Sequence, residues 1–364
     1  MRDISGTDLL AELAILFGYH SFRPYQEQVV RSILEGQDCF AIIPTSGGKS
    51  LCYQLSSKIL SGACVVVSPL ISLMKDQVDA AVQVGLRAAA YNSTCVAAEK
   101  ANILSRMRQG ELDLLYVSPE RLRLGDFLNL LLNVSVSFFA IDEAHCISEW
   151  GHDFRPDYLA LSELRSIFPD VPIAAFTANA TQVVARDITE RLRLKDPLLV
   201  KASFNRPNLF YQVLPKTEIY KQLDAFLSEH PDQPGIIYRT TRANVDITVE
   251  RLRSKGHDCL AYHAGLGERE RSDAQEAFRL DKCRIIVATI SFGMGIDKSN
   301  VRFVLHGDLP KNVESYYQAT GRAGRDGEPA TCVIYHGLGD MGKLPALIGN
   351  IEDSQVRNTA RSQL

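Results

Sequence analysis

Residues 40–50 read Phe40-Ala41-Ile42-Ile43-Pro44-Thr45-Ser46-Gly47-Gly48-Lys49-Ser50. The apolar run ending at Pro44 predicts a buried strand. The small residues after it predict a tight loop, and Lys49 and Ser50 open a helix. That order builds an anion site, because backbone N–H groups converge on the loop and the helix dipole adds positive potential. The lysine of such a loop reaches a β- or γ-phosphate, and the hydroxyl after it suits Mg²⁺. The general phosphate-loop pattern has Gly six residues before the Lys, where this chain has Ile43. Only the shorter Gly-Gly-Lys-Ser core is present, and a plain strand-to-helix turn is the competing reading.

The sequence downstream favours the nucleotide reading. Val134–Ile141 predicts another buried strand, which runs directly into Asp142-Glu143-Ala144-His145. Adjacent acids at the end of a buried strand carry a desolvation cost that argues for a task. With a phosphate loop upstream, Asp142 suits Mg²⁺ and Glu143 suits positioning or deprotonating an attacking water. Two further strands, Gly62–Leu70 and Leu112–Pro119, both end in Ser-Pro. They place Ser68, Ser118 and two helix N-termini at one sheet edge, where open α/β sheets bind ligands. Backbone phosphates of a nucleic acid suit that edge, and simple helix capping explains the same residues.

Two aromatic stretches complete the first half. Residues 7–35 predict two helices joined by a turn at Phe17–Pro24. Tyr19 and Arg23 are able to stack on a base, and Gln26 offers the paired donor and acceptor that an adenine edge accepts. The plainer reading is a helix-entry turn with surface polar residues. Cys146–Tyr158 reads Cys-Ile-Ser-Glu-Trp-Gly-His-Asp-Phe-Arg-Pro-Asp-Tyr and holds the single Trp of the chain, Trp150. Aromatics interleaved with arginine directly after the acid pair suit a platform for unpaired bases. A packed loop with buried aromatics fits the same residues. Phe176–Ala180 ends another strand with the hydroxyl of Thr177 behind the site.

At 364 residues the chain predicts two domains. With 46% hydrophobic and 23% charged residues it reads as a soluble globular protein. A net charge of −3 excludes a globally basic protein, so a polyanion would have to meet a local groove. The eight cysteines show no C-x-x-C spacing, which predicts reduced thiols with neither a disulfide framework nor a zinc site. No signal segment or membrane-length apolar run is evident. The pattern loosens around Lys201–Leu209, dividing the chain into 1–205, 206–340 and a helical tail 341–364. Strands at Pro234–Thr240, Cys259–His263, Cys283–Thr289 and Val301–His306 alternate with helices at Val245–Lys255 and Glu268–Leu280. That alternation predicts a second parallel sheet. Near its end Tyr316–Gly327 carries Arg322 and Arg325, three apart and therefore expected on one helix face. Among Gln318, Gly321 and Gly324 they are expected to project freely, as arginines presented to a γ-phosphate do.

Taken in order, several motifs resemble those of the RecQ family of superfamily-2 DNA helicases. They are the Tyr19/Arg23/Gln26 turn, Pro44–Ser50, Ser68–Gln77, Asp142–His145, residues 148–158, Gly293–Arg302 and Gln318–Arg325. The loop Ser-Glu-Trp-Gly-His-Asp-Phe-Arg-Pro and the segment Phe-Gly-Met-Gly-Ile-Asp are the parts most particular to that family. The resemblance implies an α/β fold of two tandem RecA-like domains with parallel sheets flanked by helices, a P-loop NTPase with ATP in the cleft between them. It implies 3′→5′ movement on single-stranded DNA driven by ATP hydrolysis. By matching position, Tyr19, Arg23 and Gln26 hold adenine. Thr45, Ser46, Gly47, Gly48, Lys49 and Ser50 cradle the phosphates. Ser50 and Asp142 hold Mg²⁺, and Glu143 activates water. Ser68, Trp150, His152, Phe154 and Arg155 meet DNA, with His145 coupling them to hydrolysis. Arg322 and Arg325 complete the site, with Gln318 close by.

Three departures from the family pattern stand out: Ser46 in place of a usual Gly, Asn179 in place of a usual Thr, and an end at Leu364. Residues 351–364 look like the start of a zinc-module helix without its cysteines, so the chain is either a truncated piece or a minimal protein. The expected function is an ATP-dependent 3′→5′ DNA helicase of recombination and repair. The expected cofactors are ATP and Mg²⁺, and the expected partners are single-stranded and tailed duplex DNA. A monomer is expected, in a bacterial cytoplasm at the nucleoid or in a eukaryotic nucleus, with no membrane contact. The alternatives are a DNA-stimulated translocase that does not unwind, and a nucleotide-dependent DNA-binding module.

Overall fold

The computed structural model describes residues 7–337 apart from positions 45, 46, 70, 123, 124, 151, 152, 204, 291 and 293–297. Thr45, Ser46, His152, Gly293–Asp297 and the tail 341–364 therefore lie outside the described residues. The chain divides into two compact units, Met1–Phe204 and Asn205–Leu364.

Unit 1 opens with helices α1 (Leu9–Phe17) and α2 (Gln26–Leu34). The Asp8 side chain caps α1 by accepting from the N–H groups of Leu10 and Ala11. The strands are β1 (Cys39–Ile42), β2 (Ala63–Val67), β3 (Ala88–Tyr91), β4 (Leu114–Val117), β5 (Val136–Ile141), β6 (Ile173–Thr177) and β7 (Leu198–Lys201). Their spatial order is β3-β4-β2-β5-β6-β1-β7, and every pairing is parallel. Helix α3 (Lys49–Ile59) follows β1 and α4 (Ile71–Gln83) follows β2.

The strands read as unbroken apolar runs because both sheet faces are covered. Phe40, Val65, Val117, Phe139 and Ile141 pack into one layer. Their neighbours Ala41, Val66, Tyr116, Phe138 and Ala140 pack into the other. Each large side chain so buried contributes about 1.5–3 kcal/mol. Strands β3 and β7 were not legible in advance. β3 is mostly Ala, and β7 is an edge strand with only Val200 buried.

Unit 2 repeats the plan. Its strands are β8 (Leu209–Pro215), β9 (Gly235–Tyr238), β10 (Cys259–Tyr262), β11 (Ile285–Ala288), β12 (Phe303–His306) and β13 (Ala330–His336), in the order β10-β11-β9-β12-β13-β8, again all parallel. Ile236, Ile286 and Val304 face one layer and Ile237, Val287 and Leu305 the other. No helix among the described residues is long and apolar enough to cross a membrane.

One buried carboxylate pins each sheet. Asp38, 5% exposed, accepts from the Arg165 guanidinium, from Ile173 N at 2.8 Å and from Lys195 N at 2.7 Å. It thereby joins the starts of β1 and β6 to the approach of β7. Asp308 accepts from Arg239 Nε at 2.9 Å, Lys216 Nζ at 3.0 Å and Thr240 N at 3.1 Å. Burial alone would raise its pKa, but Arg239, the Thr240 N–H and Lys216 outweigh burial and hold it well below the carboxylate range. Beside it His306 is buried, with its ring against Tyr238 (centroids 5.2 Å) and Tyr316 (5.1 Å). Burial pushes the His306 imidazole down from 6.5 to about 3.

Asp38→Ala strands Arg165 in the core and should lower the unfolding free energy of unit 1 by about 3–5 kcal/mol in urea titrations, with part recovered by adding Arg165→Met. His306 takes up a proton more readily unfolded than folded, so its contribution is complete above pH 6.5 and is lost as the pH falls from there towards 3. At pH 5 the loss should amount to about 2 kcal/mol. His306→Phe should flatten that limb of the stability profile while keeping the ring contacts.

Candidate functional site

Three neighbouring strand ends of unit 1 carry the chemistry. β1 delivers the phosphate-loop residues, β5 delivers Asp142-Glu143-Ala144-His145, and β6 lies between them and ends at Thr177. In the sheet Ile42 pairs with Thr177 and Ile141 with Ala175, so all three exits fall on one edge.

The loop turns back through a Gly47 N to Pro44 O hydrogen bond of 2.8 Å. Its two glycines are required by space and conformation. A Cβ on Gly47 would collide with the Ile43 side chain. Gly48 has φ +78°, in the left-handed region, and a Cβ there would collide with the Gln26 amide. Gly48 is the N-cap of α3 and makes no side-chain cap, so the first α3 amides have no capping side chain from this residue. Lys49 Nζ donates to Ile43 O at 3.3 Å.

Gln26 is buried and already engaged. Its Nε2 donates to Gly47 O at 3.3 Å and Gly48 O at 3.2 Å, and its Oε1 accepts from Arg23 N at 2.8 Å. The paired donor and acceptor seen in the sequence are thus spent in this conformation, the donor on the loop backbone and the acceptor on the backbone of its own turn. Tyr19 is 54% exposed and Arg23 lies at the surface of the same turn.

The acid pair is held by its backbone. Glu143 has φ +47°, a strained conformation for a non-glycine residue that costs of order 1–3 kcal/mol. Its N–H donates to Asp142 Oδ1 at 3.0 Å. Tyr158, fully buried, donates its hydroxyl to Asp142 O at 3.0 Å. Burial, and then the neighbouring Glu143, hold the Asp142 pKa above the usual carboxylate range, while Lys49 pulls it down. A buried carboxylate in that condition is suited to a cation. Together with the Ser50 hydroxyl it offers the hard oxygen donors that Mg²⁺ prefers. His145 is buried, with Nδ1 2.9 Å from Thr177 Oγ1 and 3.3 Å from Glu143 Oε2. Thr177 Oγ1 also donates to Asn179 O at 3.0 Å. Beneath α3, Tyr53 is fully buried and donates to Gln77 Oε1 of α4 at 3.0 Å, a link the sequence did not reveal.

The aromatic loop divides between the two readings open to it. Trp150 is 61% exposed, whereas Phe154 and Tyr158 are buried. Phe154, expected in the stacking platform, is packed inside in this conformation, and Trp150 is the aromatic open to a base. Arg155 donates from Nη1 to Pro69 O at 2.9 Å, tying this loop to the exit of β2, and pairs with Asp153 through Nη2 at 3.2 Å. Ser68 and Ser118 do stand side by side, since Val67 pairs with Val117. Both are buried in this conformation.

In unit 2 the helix Val313–Thr320 carries Gln318 and stops before the arginines. Arg322 and Arg325 therefore lie on a turn and share no helix face, contrary to the spacing argument. The helix closes at Gly321, and Gly324, at φ +54°, turns the chain further on. Arg206 Nη2 then pins the turn by donating to Ala323 O and Gly324 O at 3.0 and 2.7 Å, and Asn208 Nδ2 donates to Gly324 O at 2.9 Å. Arg322 is 6% exposed and does not project freely. Burial raises the Tyr238 pKa, and Arg322, the nearer influence, lowers it, followed by Arg325.

Comparisons with known proteins agree with this geometry. The DEAD/DEAH box helicase family matches residues 23–187, and the helicase conserved C-terminal domain matches residues 218–327. ATP-dependent DNA helicase RecQ of Pasteurella multocida is 47% identical over 345 residues, covering 95% of this chain and 55% of that protein. ATP-dependent helicase SGS1 of Saccharomyces cerevisiae is 40% identical over 352 residues, covering 94% of this chain and 24% of that protein. The chain spans about half the length of the bacterial relatives it matches. Among solved structures, helicase MrfA bound to DNA and AMPPNP aligns over 94% of this chain and 52% of its own, with a TM-score of 0.75 at 17% identity. S. cerevisiae Dbp5 bound to RNA and ADP BeF3 aligns over 98% of this chain and 97% of its own, at 0.70 and 16%. These two are alike in fold, the tandem RecA-like architecture of superfamily-2 helicases. With two parallel α/β units, a glycine-gated phosphate loop and a strained acid pair beside it, the chain belongs to the RecQ family of helicases.

Proposed function

We propose that the protein is an ATP-dependent DNA helicase that couples ATP hydrolysis to 3′→5′ movement on single-stranded DNA and to duplex opening in recombination and repair. The observation that carries this reading is the convergence of Lys49, Asp142 and Glu143 at one edge of the unit 1 sheet, with Lys49 close enough to depress the Asp142 pKa. The α3 N-terminus and Lys49 bind the phosphates. Tyr19 and Arg23 flank the base, and Gln26 reads adenine by exchanging its loop contacts for the base edge. Thr45 and Ser46 complete the cradle. Ser50 and Asp142 hold Mg²⁺, which neutralises phosphate charge when bound. Glu143 orients water and takes its proton. Arg322 and Arg325, with Gln318, stabilise charge on the transferred phosphoryl group.

Trp150 is the base-stacking residue, with His152 beside it in sequence. Arg155 transmits strand contact to the acid pair, since its loop is fixed to both β2 and Cys146. The names of the bacterial relatives, ATP-dependent DNA helicases, support the DNA substrate. A monomer acting on single-stranded and tailed duplex DNA, at the bacterial nucleoid or in a nucleus, is the corresponding assembly and location.

The test is strand separation on a duplex with a 3′ single-stranded tail, with ATP and Mg²⁺. Wild type should unwind and Lys49→Ala should not. Glu143→Gln should lower DNA-stimulated turnover by about 10²–10⁴-fold. Turnover that DNA does not change sinks the coupling role of Trp150 and Arg155. DNA-stimulated turnover without unwinding makes the chain a translocase. Trp150→Ala should weaken single-strand binding by about 1–3 kcal/mol, read by fluorescence anisotropy at fixed salt.

A further inference from the structure

We propose that His145, Cys146 and Asp153 form a binding site for a thiolate-seeking divalent cation of the zinc type, and that its occupation damps DNA-stimulated turnover. One ligand atom from each of the three lies within 4.8 Å of the others. Cys146 Sγ stands 3.9 Å from His145 Nε2 and 3.9 Å from Asp153 Oδ2. Tetrahedral zinc places sulfur and its neighbouring ligands about 3.5–3.6 Å apart, so the two pairs that Cys146 makes need to close by a few tenths of an ångström, and Asp153 has to move towards His145 to complete the set. Nitrogen, sulfur and oxygen donors are the set zinc takes, and three protein ligands leave a fourth position for water.

The surroundings are those of a supported ligand. The other ring nitrogen of His145, Nδ1, is 2.9 Å from Thr177 Oγ1, which holds the ring with Nε2 towards Cys146. Outer contacts of that kind orient metal-binding imidazoles. His145 and Cys146 are both buried, and Asp153 enters from the aromatic loop. The sequence gives no hint of the cluster, because its cysteines lack zinc spacing. The short 3₁₀ turn Ala144–Ile147 and the returning loop bring it together, with Arg155 N donating to Cys146 O at 2.9 Å.

Arg155 competes for the site. Its Nε and Nη2 lie 3.3 and 3.2 Å from Asp153 Oδ2. The cation binds as the Cys146 thiol proton leaves to solvent and Asp153 shifts from Arg155 towards His145. Arg155 also holds Pro69 O, and His145 touches Glu143. Occupation thus fastens the aromatic loop to the residue beside the acid pair. The damping rests on the ATP reading above; the site itself rests only on geometry.

Cobalt titration separates the two. Co²⁺ alone should give a thiolate charge-transfer band that Zn²⁺ displaces and Cys146→Ala abolishes. Asp153→Asn, at a partly exposed position, should weaken binding at least about tenfold and serves as the second test if the Ala variant fails to fold. A missing band, or one unchanged in both variants, overturns the site. With the band established, Zn²⁺ should bring wild-type turnover down towards its DNA-free rate and leave Cys146→Ala turnover stimulated. Equal inhibition of both proteins overturns the damping and identifies zinc acting at the nucleotide. Because the band needs no turnover, its loss is distinct from failure of the ATP reading.

Discussion

A parallel sheet covered on both faces confines exposed chemistry to the ends of its strands. In unit 1 both layers are filled by the alternating side chains of β1, β2, β4, β5 and β6. Polar side chains within those strands would be buried without partners. The polar residues instead gather where the strands stop: the glycine loop after β1, Ser68 after β2, the acid pair after β5 and Thr177 closing β6. Because all strands run the same way, these exits share one edge. Remove the two-sided burial and neither the loop conformation nor the acid pair has a reason to sit where it does.

A structural carboxylate holds each sheet, at a strand entry in unit 1 and at a strand exit in unit 2. Asp38 gathers an arginine and two backbone amides at the entry of β1. Asp308, just past β12, does the equivalent in unit 2 with Arg239, Lys216 and Thr240. A buried carboxylate is tolerated when its partners outweigh desolvation. Asp142 differs. Its own backbone surroundings supply a single hydrogen bond from Glu143 N, and burial and Glu143 both raise its pKa. That contrast separates a carboxylate that organises the fold from one whose burial is left less fully offset.

Coupling within unit 1 is carried by short contacts between loops. Tyr158 holds Asp142 O, Arg155 holds both Cys146 and Pro69, and His145 lies between Glu143 and Thr177. Tyr53 joins α3 to Gln77 on α4. These contacts tie the loop that carries Trp150 to the acid pair and to the exit of β2.

Local patterns were legible in the sequence because their physics is local. Continuous apolar runs marked β1, β2, β4 and β5 as strands buried on both faces, and Gly47-Gly48-Lys49-Ser50 marked the turn into α3. Asp142 and Glu143 were recognisable because two acids at a buried strand end need a purpose. Partnership between distant residues was not legible. Whether Phe154 stacks on a base or fills the core, whether Ser68 faces outward, and what Gln26 holds depend on what lies across the fold. The arginine spacing of 322 and 325 suggested a helix, but Gly324 and the grip of Arg206 made a turn. The sequence by itself determined the order of elements and the chemistry at their ends, since both follow from neighbouring residues. Tertiary structure alone decided which polar groups are spent on one another, because burial and hydrogen-bond geometry are set by residues far apart in the chain.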